Sequence, residues 1–187
     1  ANLLFVKLTR AAHARGFELE WVPENESRLY FSLNGERRAF LPDGRGVLHV
    51  GDKHIHFVVE IDTTRSNADK LRRKIARCYA SVVARLVPDN VEEKTTILFI
   101  THSTERMNHL LQIAREIEIE MDPTQTNLRR VAPILFGQQQ MIVNPNETVD
   151  RANWVDLDGE RVYCFSQFES VTESQNRIQT GMVIYKF

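Results

Sequence analysis

The stretch 54–62, HIHFVVEID, constrains the fold more than any other part of this chain. It is the most apolar strand-like run in the first half, and it ends on two carboxylates. An extended run this apolar belongs inside a sheet, covered on both faces. A helical pattern over 66–86 follows, in which Leu71, Ile75, Cys78 and Val82 fall on one stripe about 60° wide. A second buried strand, 95–102 (TTILFITH), comes next, and then a helix over 105–121 with Leu110, Ile113, Ala114 and Ile117 as its apolar stripe. Strands alternating with helices predict an α/β architecture, a single mixed β-sheet flanked by helices.

The remaining chain fills in around that unit. Residues 3–15 predict a helix stopped by Gly16. Phe17, Leu19 and Trp21 alternate with Glu18 and Glu20 as a strand does. Strands over 28–33 and 37–41 flank the turn pair Asn34-Gly35, and Pro42-Asp43-Gly44 closes the second. A strand over 46–50 precedes a turn at Gly51-Asp52. Ser66 is the expected N-cap of the long helix, with Asp69 in the capping-box position and Pro88 as its end. Thr104 is the expected cap of the next helix. Further strands are expected over 131–136, 140–143 and 181–187, with a hairpin over 154–165 around Asp158-Gly159.

A chain of 187 residues buries roughly 70% of its unfolded surface, so it holds a core without disulfides or metal, here read as one domain over 1–187. Cys78 and Cys164 alone make neither a disulfide framework nor a zinc ribbon. No apolar run reaches the length of a membrane span and no signal peptide opens the chain, which leads to an expectation of a reduced, cytoplasmic setting. The chain opens on Ala1, as a processed product or an excised piece would.

Charge matters here by location. The chain carries −1 overall, yet residues 65–85 hold Arg65, Lys70, Arg72, Arg73, Lys74, Arg77 and Arg85 against Asp69, a local +6 that leaves −7 elsewhere. Such a basic helix suits something anionic, or else pairs with acids on neighbouring elements. Lys74 lies about 60° from the midline of the apolar stripe, with Lys70 and Arg77 further round that side, while Arg72 and Arg73 point well away. Lys74 can therefore lean toward the strand end while its stem covers apolar surface.

Alternation places His54, His56, Val58, Glu60 and Asp62 on one face of their strand and Ile55, Phe57, Val59 and Ile61 on the other. Glu60 and Asp62 then stand about 6.6–7 Å apart at Cα, and the preceding turn brings Asp43. Buried carboxylates need a cation or donor partner. Asp43, Glu60 and Asp62 make a hard-oxygen set suited to Mg²⁺ or Mn²⁺. Each residue also has a purely structural use: Asp43 shaping its turn, Glu60 and Asp62 ion-paired, Lys74 in a salt bridge, Cys78 in the core. Trp21 and Trp154 are expected as packing residues, with stacking on bases the other use of an exposed aromatic. His54 and His56 are expected as polar residues on a half-exposed strand start rather than ligands, and His102 as a residue that could approach the same sheet edge.

Pro42-Asp43 followed by Glu60-Ile61-Asp62 resembles the PD-(D/E)XK nuclease core, a restriction-endonuclease-like arrangement in which Asp and Glu from adjacent strands hold the metal. That motif continues with lysine two residues after the second acid, where this chain has Asp62; some members carry the lysine on the next helix, as Lys74 would. The chain also resembles the replication-relaxation family of plasmid replication and mobilisation proteins. The matching elements, over about residues 17–155, are Trp21 and Glu24, Pro42-Asp43-Gly44, Glu60 and Asp62, Lys74 and Tyr79, and the late Trp154. Thr63-Thr64-Arg65 departs from the Arg-Gly-Thr expected there, and there is no room for the winged helix that commonly precedes this region.

The resemblance implies metal-dependent cleavage or nicking of DNA, with Asp43 and Glu60 as metal ligands, Asp62 as an extra metal ligand or a salt-bridge partner for Lys74, and Lys74 as the catalytic cation. Lys70, Arg73 and Arg77 would hold the DNA backbone through salt-sensitive, sequence-independent contacts. The alternative is a nuclease-like fold without cleavage, serving as a DNA-binding or protein-interaction module. Glu-x-Asp in place of Glu-x-Lys favours that alternative, and a well-placed Lys74 favours the enzyme.

Overall fold

A computed structural model describes residues 1–33, 35–62, 67–86, 95–122, 128–151 and 153–165. Ser66, the 63–65 segment, Pro88 and the expected strand at 181–187 lie outside the described residues.

The chain builds a mixed seven-stranded sheet. Its strands are β1 (Glu18–Pro23), β4 (Gly44–Val50), β5 (Lys53–Asp62), β6 (Thr95–Thr101), β7 (Ile134–Gln138), β8 (Trp154–Val155) and β9 (Arg161–Val162), side by side in that order. The pairs β5–β6 and β6–β7 are parallel and the others antiparallel. The apolar 54–62 run is thus an interior strand, as its composition requires.

The expected single sheet holds only in part. Strands β2 (Leu29–Leu33) and β3 (Glu36–Phe40) form a separate two-stranded ribbon. Leu29, Phe31 and Phe40 on one face of the ribbon are buried in the core. The ribbon spends its apolar face on the long helix that follows β5, so it does not add to the main sheet.

Helices cover both faces. Helix α2 (Ala68–Leu86) links β5 to β6, and α3 (Thr104–Met121), followed by the short α4 (Leu128–Val131), links β6 to β7. The parallel strands advance in one direction across the sheet, so right-handed crossovers put α2 and α3 on the same face. There Leu71, Ile75, Cys78, Leu110 and Ala114 pack with Val58, Ile97 and Phe136. On the opposite face α1 (Asn2–His13) and α5 (Gln139–Val143) pack with Phe57, Val59, Leu98 and Trp154.

Helix ends follow side-chain chemistry. Gly16, at φ +71, stops α1, with the Phe17 amide donating to the Ala12 carbonyl. Asn67 caps α2, its side-chain oxygen accepting from the Lys70 amide at 3.1 Å. At α3 the cap is Ser103, which accepts from the Arg106 amide at 3.2 Å, and not the expected Thr104. Thr104 instead accepts from the Gln138 amide group at 2.8 Å.

Two expected strands change. The one over 131–136 begins only at Ile134, because Pro133 has no N–H to donate; its carbonyl accepts from the Ile97 amide at 2.8 Å. Residues 140–143 are the helix α5, docked through Met141 and Ile142. Lys7 ties α1 to the end of α5, its ammonium donating to the carbonyls of Met141, Asn144 and Glu147 at 2.9, 2.5 and 2.7 Å. No helix among the described residues is long and apolar enough to cross a membrane.

Candidate functional site

The β5 pleat sends Val58, Glu60 and Asp62 to the α2–α3 side of the sheet, and β4 enters beside β5 with Gly44 opposite Val59. Asp43, one residue before β4, therefore arrives next to the end of β5. Two contacts hold it there. The Ser27 hydroxyl lies 2.7 Å from the Pro42 carbonyl, anchoring the turn from a fully buried position. Asp43 Oδ2 accepts from the Ile61 amide at 2.6 Å.

Gly44 belongs to the same construction. A Cβ at that position would fall 2.4 Å from Cζ2 of Trp21, so the indole lies against bare backbone beside Asp43. Trp21 in turn packs against Phe5 and Phe57, with ring centroids 5.5 and 6.0 Å away.

Lys74 of α2 completes the group. Its ammonium contacts Glu60 Oε2 directly and lies 3.7 Å from Asp43 Oδ2. The stem crosses apolar surface, with Nζ 5.7 Å from the centre of the Phe99 ring. Asp43, Glu60 and Lys74, drawn from two adjacent strands and the following helix, thus meet at one point. Burial pushes the Glu60 carboxyl up to about 7, against the pull of the Lys74 ammonium. For Lys74, burial favours the neutral amine, but the Glu60 and Asp43 carboxylates outweigh it and raise the pKa.

These three groups open into a cavity of about 470 Å³, walled by Lys70, Arg73, Lys74 and Arg77 of α2 on one side and Ala39, Phe40 and Leu41 of the ribbon on the other. Lys70 and Arg77 lie where the helical spacing puts them. Arg73 is a correction: it was expected to point well away, yet it lines the cavity. It is the next residue round the flank that already carries Lys70 and Arg77, and the ribbon extends the cavity far enough round α2 to include it. Arg72 does face elsewhere, pairing with Glu116 at 2.9 Å and with Glu120 on α3.

Asp62 is engaged differently from its two companions. Arg106, in the first turn of α3, donates Nε to Asp62 Oδ2 at 2.6 Å, and the pair is nearly buried. Among the described residues no group of three or more His, Cys, Asp or Glu side chains is arranged to hold a metal ion. Two carboxylates, Asp43 and Glu60, face the cavity.

Several other residues take the structural role. Cys78, Tyr79 and Trp154 are buried, with the Trp154 indole donating to the Val149 carbonyl at 3.0 Å. Glu24 is exposed in a single 3-10 turn, and His102 is exposed beyond β6. His54 meets His49 across the β4–β5 ladder, Nδ1 to Nδ1 at 2.7 Å, away from the cavity.

Sequence reasoning missed the ribbon as a cavity wall, and Arg106. The Asn34-Gly35 signal identifies the hairpin but not its docking site. Arg106 carried a usable signal, since a cation one turn into a helix after a parallel strand can reach the neighbouring strand's end.

Comparison with known proteins returns no matching family model, no matching curated protein and no matching solved structure.

Proposed function

We propose that this domain is a nuclease-like DNA-processing unit with a restriction-endonuclease-like core, which cleaves or nicks phosphodiester bonds with the help of Mg²⁺ or Mn²⁺. The observation that carries the reading is the meeting of Asp43, Glu60 and Lys74 in a cavity whose other charged residues, Lys70, Arg73 and Arg77, are all cationic.

The residues fit a divalent cation. Glu60 Oε1 is buried and accepts no hydrogen bond among the described residues, leaving an oxygen free for a ligand. Asp43 and Glu60 would hold the ion, both being hard oxygen donors. When bound, such an ion neutralises phosphate charge and lowers the pKa of a coordinated water. Lys74 holds a positive charge at the point where negative charge grows on the phosphate in the transition state. Lys70, Arg73 and Arg77 grip neighbouring phosphates and set the strand's position. Asp62, neutralised by Arg106, braces the end of β5.

One observation favours a second reading. Lys74 already bridges the two carboxylates, so each has a cationic partner without an added ion. A catalytically inactive DNA-binding module would look the same.

The discriminating experiment incubates supercoiled plasmid and single-stranded oligonucleotide with the protein in Mg²⁺ or Mn²⁺. Cleavage that falls at least about 100-fold in both Asp43→Ala and Glu60→Ala, with circular dichroism unchanged, supports the enzyme. No metal-dependent cleavage of either substrate at any protein concentration leaves only the binding module.

A further inference from the structure

The β2–β3 ribbon has an outward face as well as the buried one. Alternation puts Tyr30 and Ser32 of β2 on that face, opposite Ala39 and Arg37 of β3. Tyr30 is 54% exposed, the outward position that alternation leaves between the buried Leu29 and Phe31. The Arg37 guanidinium lies over its ring, 4.4 Å from the centroid. Arg28, immediately before β2, is exposed as well.

The position of this ring relative to the cavity is what makes it informative. Ala39, the direct cross-strand partner of Tyr30, is itself part of the cavity wall. Directly opposed residues have Cβ atoms about 4.5–5.5 Å apart. Tyr30 thus lies one strand over from a residue that walls the site bearing Asp43, Glu60 and Lys74. A cationic cavity followed at that distance by an exposed aromatic with a stacked guanidinium is the pairing that single-stranded nucleic acid requires: charge for the phosphates, a flat face for an unpaired base. A duplex offers no such face, because its bases already stack on one another.

Resting on the reading of the cavity as a DNA site, we infer that its ligand is single-stranded DNA, which runs from the α2 cations across the outward face of the β2–β3 ribbon, where a base stacks on Tyr30. Arg37 holds the ring in place and adds a phosphate contact. This arrangement gives affinity without base-specific readout.

The test is fluorescence anisotropy in EDTA, where cleavage plays no part, using labelled dT12, a 12-base-pair duplex and rU12. Expected are dT12 binding at least about tenfold tighter than the duplex, a loss of about tenfold in Tyr30→Ala, and wild-type affinity in Tyr30→Phe, which keeps the ring. Tyr30→Ala should leave the salt dependence intact, since no charge is removed. Unchanged dT12 affinity in Tyr30→Ala, duplex binding as tight as dT12, or tenfold preference for rU12 each overturns the inference. Failure here is separable from failure of the parent reading. If Lys70→Ala/Arg77→Ala weakens DNA binding but Tyr30→Ala does not, the ribbon path is wrong and the DNA site stands. If the expected binding pattern appears but metal never supports cleavage, the path stands and the enzyme does not.

Discussion

Glu60 keeps its carboxyl almost wholly out of water, with its side chain 1% exposed and the Lys74 ammonium in contact. Its pKa, about 7 in the fold against an ordinary 4.5, gives a stability effect of definite sign. The folded protein holds this proton more tightly than the unfolded chain does. The contribution is therefore fully present below pH 4.5 and is lost as pH rises through about 7. Measured by urea unfolding in EDTA, wild type should lose about 2–3 kcal/mol between pH 5 and pH 8 relative to Glu60→Gln, which carries no proton to lose. A constant difference between the two proteins across that range would show an ordinary carboxyl. A divalent cation facing the same oxygens would favour the ionised form, so metal affinity should rise over the same pH interval.

Among the elements, β4 is the one whose geometry the site most depends on, and glycine is what makes that geometry available. A Cβ on Gly46 would lie 2.4 Å from the Glu20 carbonyl oxygen and 2.6 Å from Cζ of Phe57. The first neighbour is backbone and cannot turn aside, so Gly46→Ala must push β1 away from β4. We expect a loss of about 1–3 kcal/mol in urea unfolding, the usual range for overpacking. Gly51→Ala, at a hairpin tip with open space around it but φ +58, should cost less, about 1 kcal/mol. Equal losses would mean that β4 tolerates displacement.

Legibility from sequence divides along the same physical lines. The period-two pattern of 54–62 places Glu60 on the α2 side correctly, because a buried strand leaves its side chains no third direction. The stripe of Leu71, Ile75, Cys78 and Val82 likewise fixes which flank of α2 carries Lys74. The α5 segment was illegible, since four residues support neither period and tertiary docking of Met141 and Ile142 decides. The choice between Ser103 and Thr104 as cap was equally open to local reasoning, because the competing partner, Gln138, comes from another strand. The ribbon's docking, and with it the place of Arg73 on the cavity wall, depends on contacts between segments far apart in sequence.

At the scale of the whole molecule the sheet separates two hydrophobic layers, one beneath α2 and α3 and one beneath α1 and α5. Leu8 belongs to the second and Ile75 to the first, and both are fully buried. Each replaced by alanine should cost about 2–5 kcal/mol. With the sheet between them and no shared neighbours, the double variant should lose the sum to within about 0.5 kcal/mol. Unfolding should remain a single transition, because the interior strands β5, β6 and β7 each send side chains into both layers. Two separated transitions, or a sum missed by several kcal/mol, would show that the layers are not joined in this way.

The three carbonyls gripped by Lys7 lie 134, 137 and 140 residues further along the chain. Helix α1 therefore has to wait for backbone made well over a hundred residues later before its ammonium finds a seat. Until then its apolar stripe of Leu4, Leu8 and Ala12 meets the sheet without α5 or that tether, so a nascent chain stalled before residue 141 should be more prone to clump than one extended past residue 147.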